Sequence, residues 1–160
     1  MNKKHIQLPL SQSMIASHPL KILALSWKEP FASLMLHGKI ETRTWKTNYR
    51  GLVLICASKI RYGKETLFKI AGNRQVFRML ETLDSTPYQN FNGKAIAIGR
   101  LIDCRPMTES DEDKCFVKYN PDLYCHVYED VRAIEPFDWK GSQGWSKVTE
   151  EYKQKIKIVK

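Results

Sequence analysis

Residues 25–59 read LSWKEPFASLMLHGKIETRTWKTNYRGLVLICASK, and the order of elements within them sets the class of fold. The stretch continues from KILALS (21–26), a short apolar run suited to a buried strand. Pro30 fits the first turn of a helix, where its missing N–H leaves no bond unmade. Phe31, Leu34 and Met35 follow at i, i+3, i+4 spacing, and Gly38 is placed to end the helix. ETRTWKTNYR (41–50) is polar and aromatic and favours an extended chain, and Gly51 opens LVLICA, a second apolar strand. Downstream, 63–82 predicts two helices broken at Gly72-Asn73, and 94–103 (KAIAIGRLID) predicts a long strand. Thr108 and Asp111 mark the cap of a short acidic helix; 124–134 and the terminal KIKIVK alternate as strands do. No βαβ rhythm, repeat or heptad array is present. The expectation is an α+β chain: a small mixed β-barrel flanked by short helices, with residues 1–20 a loose surface arm and 21–160 one domain.

At 160 residues the chain has the length of a single domain and can bury a core without disulfides or metal. Its 42% hydrophobic and 27% charged residues, with mean hydropathy −0.43, argue against wholesale disorder. The longest apolar run, 52–57, is far short of a membrane span, and Lys3 and Lys4 precede no apolar leader, so a cytoplasmic monomer is predicted. Cys56, Cys104, Cys115 and Cys125 show no C-x-x-C spacing and read as reduced, buried thiols. A zinc set of Cys115, Cys125 and His126 lacks paired ligand spacing, and neither metal nor cofactor is expected.

The net charge of +9 is unevenly spread. Residues 1–100 carry sixteen Lys and Arg against five Asp and Glu; residues 101–160 carry ten against twelve. The densest basic stretch is 39–78, with ten cations opposed only by Glu41 and Glu65. Such a field attracts polyanions, although Lys and Arg also serve simply to solvate a surface. On an extended strand, Lys39, Glu41, Arg43 and Trp45 share a face. Two cations suit phosphate, a carboxylate suits amino or hydroxyl donors, and an indole suits a stacked base. The competing structural reading pairs Glu41 with Arg43 at a strand edge and packs Trp45 on the core.

These residues carry a resemblance. The run 25–59 resembles the opening of the ASCH domain, in the PUA-like superfamily, whose pattern is L-S-x-x-Q-P-W-A, a short helix, G-x-K-x-x-E-x-R, then R-G and an apolar strand ending in A-S-K. YEDVRAIEPFDWKGSQGW (128–145) is similar to that family's last strand and its K-G-x-Q-G-W turn. The resemblance implies a PUA-like barrel with a cleft beneath the helix preceding the E-x-R strand, and an RNA, nucleotide or modified-nucleoside ligand. It places Glu41 and Arg43 at E-x-R, Lys59 at the strand end, and Lys140, Gly141, Gln143, Gly144 and Trp145 in the turn. Gly38 and Lys39 stand near G-x-K, with the glycine two residues closer to the arginine, and Glu29 and Phe31 replace Gln and Trp. The ligand set so implied is Lys39, Glu41, Arg43, Trp45, Lys59, Lys140, Gly141, Gln143 and Trp145.

An enzymatic alternative keeps the same cleft. One branch of the resembling family contains amidohydrolases that deacetylate a modified cytidine with a threonine, a lysine and a glutamate. Aligned on the arginine, this chain has Glu41 in the threonine's place and Gly38 in the lysine's, while Thr42 falls on the opposite face. A metal-free ribonuclease would use Lys39 or Lys59 with Tyr49 or Tyr62. In either hydrolase Lys39, Glu41 and Lys59 are the catalytic candidates. A plainer alternative is an adaptor whose basic face meets an acidic protein.

Overall fold

A computed structural model describes residues 9–17, 20–84 and 90–160. The first half runs α1 (Gln12–Ala16), β1 (Ile22–Trp27), α2 (Phe31–Met35), β2 (Glu41–Arg43), β3 (Gly51–Ala57), α3 (Lys64–Ala71) and α4 (Asn73–Asp84). The second half runs β4 (Lys94–Pro106), a 3-10 turn (Glu109–Asp111), α5 (Glu112–Cys115), β5 (Tyr124–Asp138), β6 (Ser146–Lys147) and α6 (Glu150–Lys153). Among the described residues no helix is long and apolar enough to cross a membrane.

The six strands form one mixed sheet in the order β2-β5-β4-β3-β1-β6, with β1 and β3 parallel and the other pairs antiparallel. β3 lies inside the sheet and is covered on both faces, which accounts for its unbroken apolar run. Val53, Ile55 and Ala57 face a core shared with α2 and α4, whereas Leu52, Leu54 and Cys56 face a second core shared with α1 and the C-terminal segment. The chain is α+β as expected, and its small mixed sheet, flanked by short helices, curls into a half-barrel. Its edges are β2 and β6, three and two residues long, too short to zip together. The curl is built into the β4–β5 ladder, where register shifts recur between Ala95 and Ala97, Ile98 and Arg100, and Leu101 and Asp103. At Gly99 the strands approach so closely that a Cβ would stand 2.9 Å from the Val131 Cγ2 methyl.

Two further expectations meet a different arrangement. In the supposed surface arm, residues 9–17 hold a helical turn whose Leu10 and Ile15 are buried in the second core. Gln12 fixes it there, its Nε2 donating to the Ile156 carbonyl at 2.7 Å and its Oε1 accepting from the Ile158 N–H at 2.8 Å. The terminal KIKIVK makes only one isolated bridge, Ile158 to Ile134, with flanking bonds from Glu135 N–H to Lys157 and from Val159 N–H to Ala133. It extends alongside β5 but is held mostly by burial of Ile156. Of the thiols, Cys56, Cys115 and Cys125 are buried, whereas Cys104 is half-buried because β4 runs past the core beyond Leu101.

Candidate functional site

A cleft of about 960 Å³ opens where the parallel strands β1 and β3 end, between α2, β2, α3 and the loops 117–123 and 142–144. The chain enters it through α2. Glu29, the residue before the Pro30 N-cap, ties down the first turn of this helix, its carboxylate accepting the Ser33 N–H at 2.7 Å and the Ser33 hydroxyl. Gly38 closes it at φ +83°, a conformation open to glycine, and the Lys39 N–H turns back to the Leu34 carbonyl at 3.3 Å. That reversal sends the Lys39 side chain inward, where it is 1% exposed.

β2 then delivers Glu41 and Arg43. Its pairing with β5 sets Glu41 opposite His126 and Arg43 opposite Tyr124. Glu41 Oε1 accepts Lys39 Nζ at 2.9 Å and the Thr42 N–H at 2.8 Å, and Oε2 faces Arg43 Nη2 at 3.2 Å. Burial raises the Glu41 pKa, but the charges of Lys39 and Arg43, with the hydrogen bonds from Lys39 and Thr42, outweigh it and hold the carboxyl below its ordinary value. Lys39 also donates to the Ile40 carbonyl at 3.0 Å and stands 4.8 Å over the Phe31 ring. Arg43, 22% exposed, donates Nη2 to the Ser26 carbonyl at 2.9 Å and spreads over the Trp27 and Trp45 rings at 5.1 and 6.0 Å.

Glu41 therefore has both oxygens engaged from within the chain. It serves as counter-ion to Lys39 and Arg43. One carboxylate between two cations leaves the floor positive. Around it, Lys28, Lys69 and Lys118 complete five cations, and Glu41 is the only acid among the lining residues. Trp27, Phe31, Trp45, Tyr62 and Tyr119 supply aromatic surface, and Thr44, Ser58, Asn120, Ser142 and Gln143 neutral polar groups. Two buried donors near the floor, Trp27 Nε1 and Arg43 Nε, have no partner among the described residues. Such a surface carries more cationic than anionic groups. It suits phosphate and carbonyl oxygens.

The structure brings Lys39, Glu41, Arg43, Trp45, Gln143 and Gly144 together in the cleft, but not the other residues that the sequence suggested. Lys59 and Lys140 are exposed and lie outside its lining, and Gly141 stands against the Ser26 hydroxyl. Trp145 packs edge-on against Trp45 at 5.8 Å and tilted against Tyr49 at 5.4 Å, bracing the cleft's indole. Thr42, expected on the opposite face, does line the cleft. No hydrogen bond among the described residues joins Lys39 to a threonine hydroxyl. Burial pushes the Tyr49 and Tyr62 phenols up, away from the ionised form that a tyrosine base needs.

The zinc set is not brought together either. Successive residues of β5 face opposite sides, so Cys125 meets Cys115, Sγ to Sγ 3.8 Å, whereas His126 donates Nε2 to the Trp45 carbonyl at 2.9 Å. Sequence reasoning passed over Lys28, Lys69, Lys118 and Tyr119. The adjacent Lys118-Tyr119 pair beyond the short acidic helix was the available signal, a cation beside an aromatic in a loop. Among known proteins, the chain matches no family model and no curated protein.

Proposed function

We propose that this chain is a binding module for RNA or a nucleotide, seated in the cleft with phosphate against the cations and a base against Trp45 or Tyr62. The observation that carries the reading is a concave surface with five cations and one internally satisfied carboxylate, interleaved with aromatic rings. Charge of this kind neutralises phosphate, and exposed ring faces stack bases without regard to sequence. Membership of the ASCH family and a PUA-like ancestry for the half-barrel belong to the same proposal, resting on the E-x-R strand and the 140–145 turn.

The test is a titration of a short single-stranded RNA at rising salt. The logarithm of affinity falls linearly with the logarithm of salt, with slope about −0.7 for each phosphate neutralised. Arg43→Ala weakens binding several-fold; Lys118→Ala, at an exposed position of the cleft lining, weakens it and makes the slope shallower by about 0.7, with an unaltered thermal transition as the check that the fold is intact. Affinity indifferent to salt and to both substitutions overturns the proposal.

A further inference from the structure

The segment between β3 and α3, Ser58 to Tyr62, is pinned at both ends and projects at its tip. The Ser58 N–H donates to the Trp27 carbonyl at 2.8 Å and the Tyr62 N–H to the Glu29 carbonyl at 3.1 Å. Both residues line the cleft, and Tyr62 is held edge-on to Phe31 at 5.6 Å with Lys28 above its ring at 5.2 Å. Between these anchors stand Lys59, Ile60 and Arg61, all exposed and all outside the cleft lining. Ile60 is 73% exposed, more than any other large hydrophobic residue described. Its neighbours Lys59 and Arg61 make no ion pair among the described residues, nor does exposed Lys64 at the start of α3.

A lone exposed isoleucine is ordinary. An isoleucine at the tip of a segment fixed to a cleft floor, between two cations without acid partners, is a contact for something both anionic and apolar-faced. A nucleic-acid strand meets that description: phosphates for the cations, and an unstacked base face for the side chain. Lys59, Ile60 and Arg61 stand outside the cleft lining, so a nucleotide seated in the cleft leaves them for the next part of a strand. We propose that the Lys59–Ile60–Arg61 tip is a second contact for a strand whose one nucleotide occupies the cleft, so that the ligand is a single-stranded RNA continuing past Tyr62 rather than a mononucleotide. This rests on the reading of the cleft as a nucleotide site.

The experiment measures affinity of the full chain for a length series of oligouridylates, from the mononucleotide to the octanucleotide, by calorimetry or anisotropy. The octanucleotide binds about tenfold tighter or more than the mononucleotide. Ile60→Ser with Arg61→Ser, both exposed, leaves mononucleotide affinity unchanged, removes most of the gain with length, and makes the octanucleotide's salt slope shallower by about 0.7. An unaltered thermal transition in the variant shows that the fold is intact. No gain with length in the native chain, a gain that survives in the variant, or equal binding of a blunt duplex overturns the second contact. Failure of every length, the mononucleotide included, overturns the cleft reading instead.

Discussion

At the scale of single residues, the site is organised by a carboxylate held by the chain's own donors. Glu41 lies 7% exposed between an ammonium that is 1% exposed and a half-buried guanidinium. Breaking such a cluster from its centre is costly, because the buried ammonium and the half-buried guanidinium lose their shared counter-charge. Glu41→Gln is expected to destabilise the fold by about 3 kcal/mol in urea denaturation. Lys39→Met combined with Glu41→Gln is expected to lose less than the single change, since the stranded ammonium leaves with its partner. His126 makes a second test. Burial lowers its pKa below 6.5, outweighing the bond to the Trp45 carbonyl and the charge of Glu41. The unfolded chain therefore takes up the proton first as pH falls, and stability drops from about 6.5 down towards the folded value. Glu41, held below 4.5, contributes its own loss only at more acidic pH. Between roughly pH 7 and pH 5 the decline in unfolding free energy belongs largely to this imidazole, and His126→Gln is expected to flatten it.

At the scale of elements, the shape of the cleft depends on the curl of the sheet, and the curl depends on β4 and β5. Gly99→Ala places a methyl 2.9 Å from a β-branched side chain that cannot swing aside, at an expected cost of about 1–3 kcal/mol. Val131→Ala in the same chain is expected to recover part of it, a rescue that chemical denaturation reads directly. Local pattern made several elements legible in the sequence: the two apolar strands, the Gly38 stop, the break at Gly72-Asn73 and the Thr108–Asp111 cap, which forms as a capping box. Each depends on chemistry within a few residues. What pattern could not supply was pairing. Whether the strands closed into a barrel depended on how long the edge strands proved to be, and α1 was invisible because its five residues are held by tertiary contacts rather than by helix propensity. The site divided the same way. Lys39, Glu41, Arg43 and Trp45 fall within seven residues on and around β2 and were legible, whereas Lys28, Lys69 and Lys118 come from three other segments that only the fold assembles.

For the whole molecule, the proposed RNA affinity can follow total charge or its placement, and the ion pairs separate the two. The basic stretch 39–78 includes Arg74 and Arg78, yet α4 turns both towards Asp113, at 2.9 and 3.7 Å, with Gln75 Nε2 donating to the same carboxylate at 2.8 Å. Arg50 likewise faces Asp103 at 4.0 Å. These cations enter the sum of +9 but already have a partner, while Lys69, one helix earlier, lines the cleft with no ion pair among the described residues. Arg74→Ala and Lys69→Ala each remove one positive charge and alter the long-range field by similar amounts. If the summed field governs binding, both weaken RNA affinity equally and mainly by slowing association. If the cleft governs it, Lys69→Ala lowers affinity several-fold through faster dissociation and reduces the salt slope by about 0.7, while Arg74→Ala leaves both close to native. Stopped-flow association and dissociation rates for the two variants decide between these outcomes, and the distribution of ion pairs predicts the second.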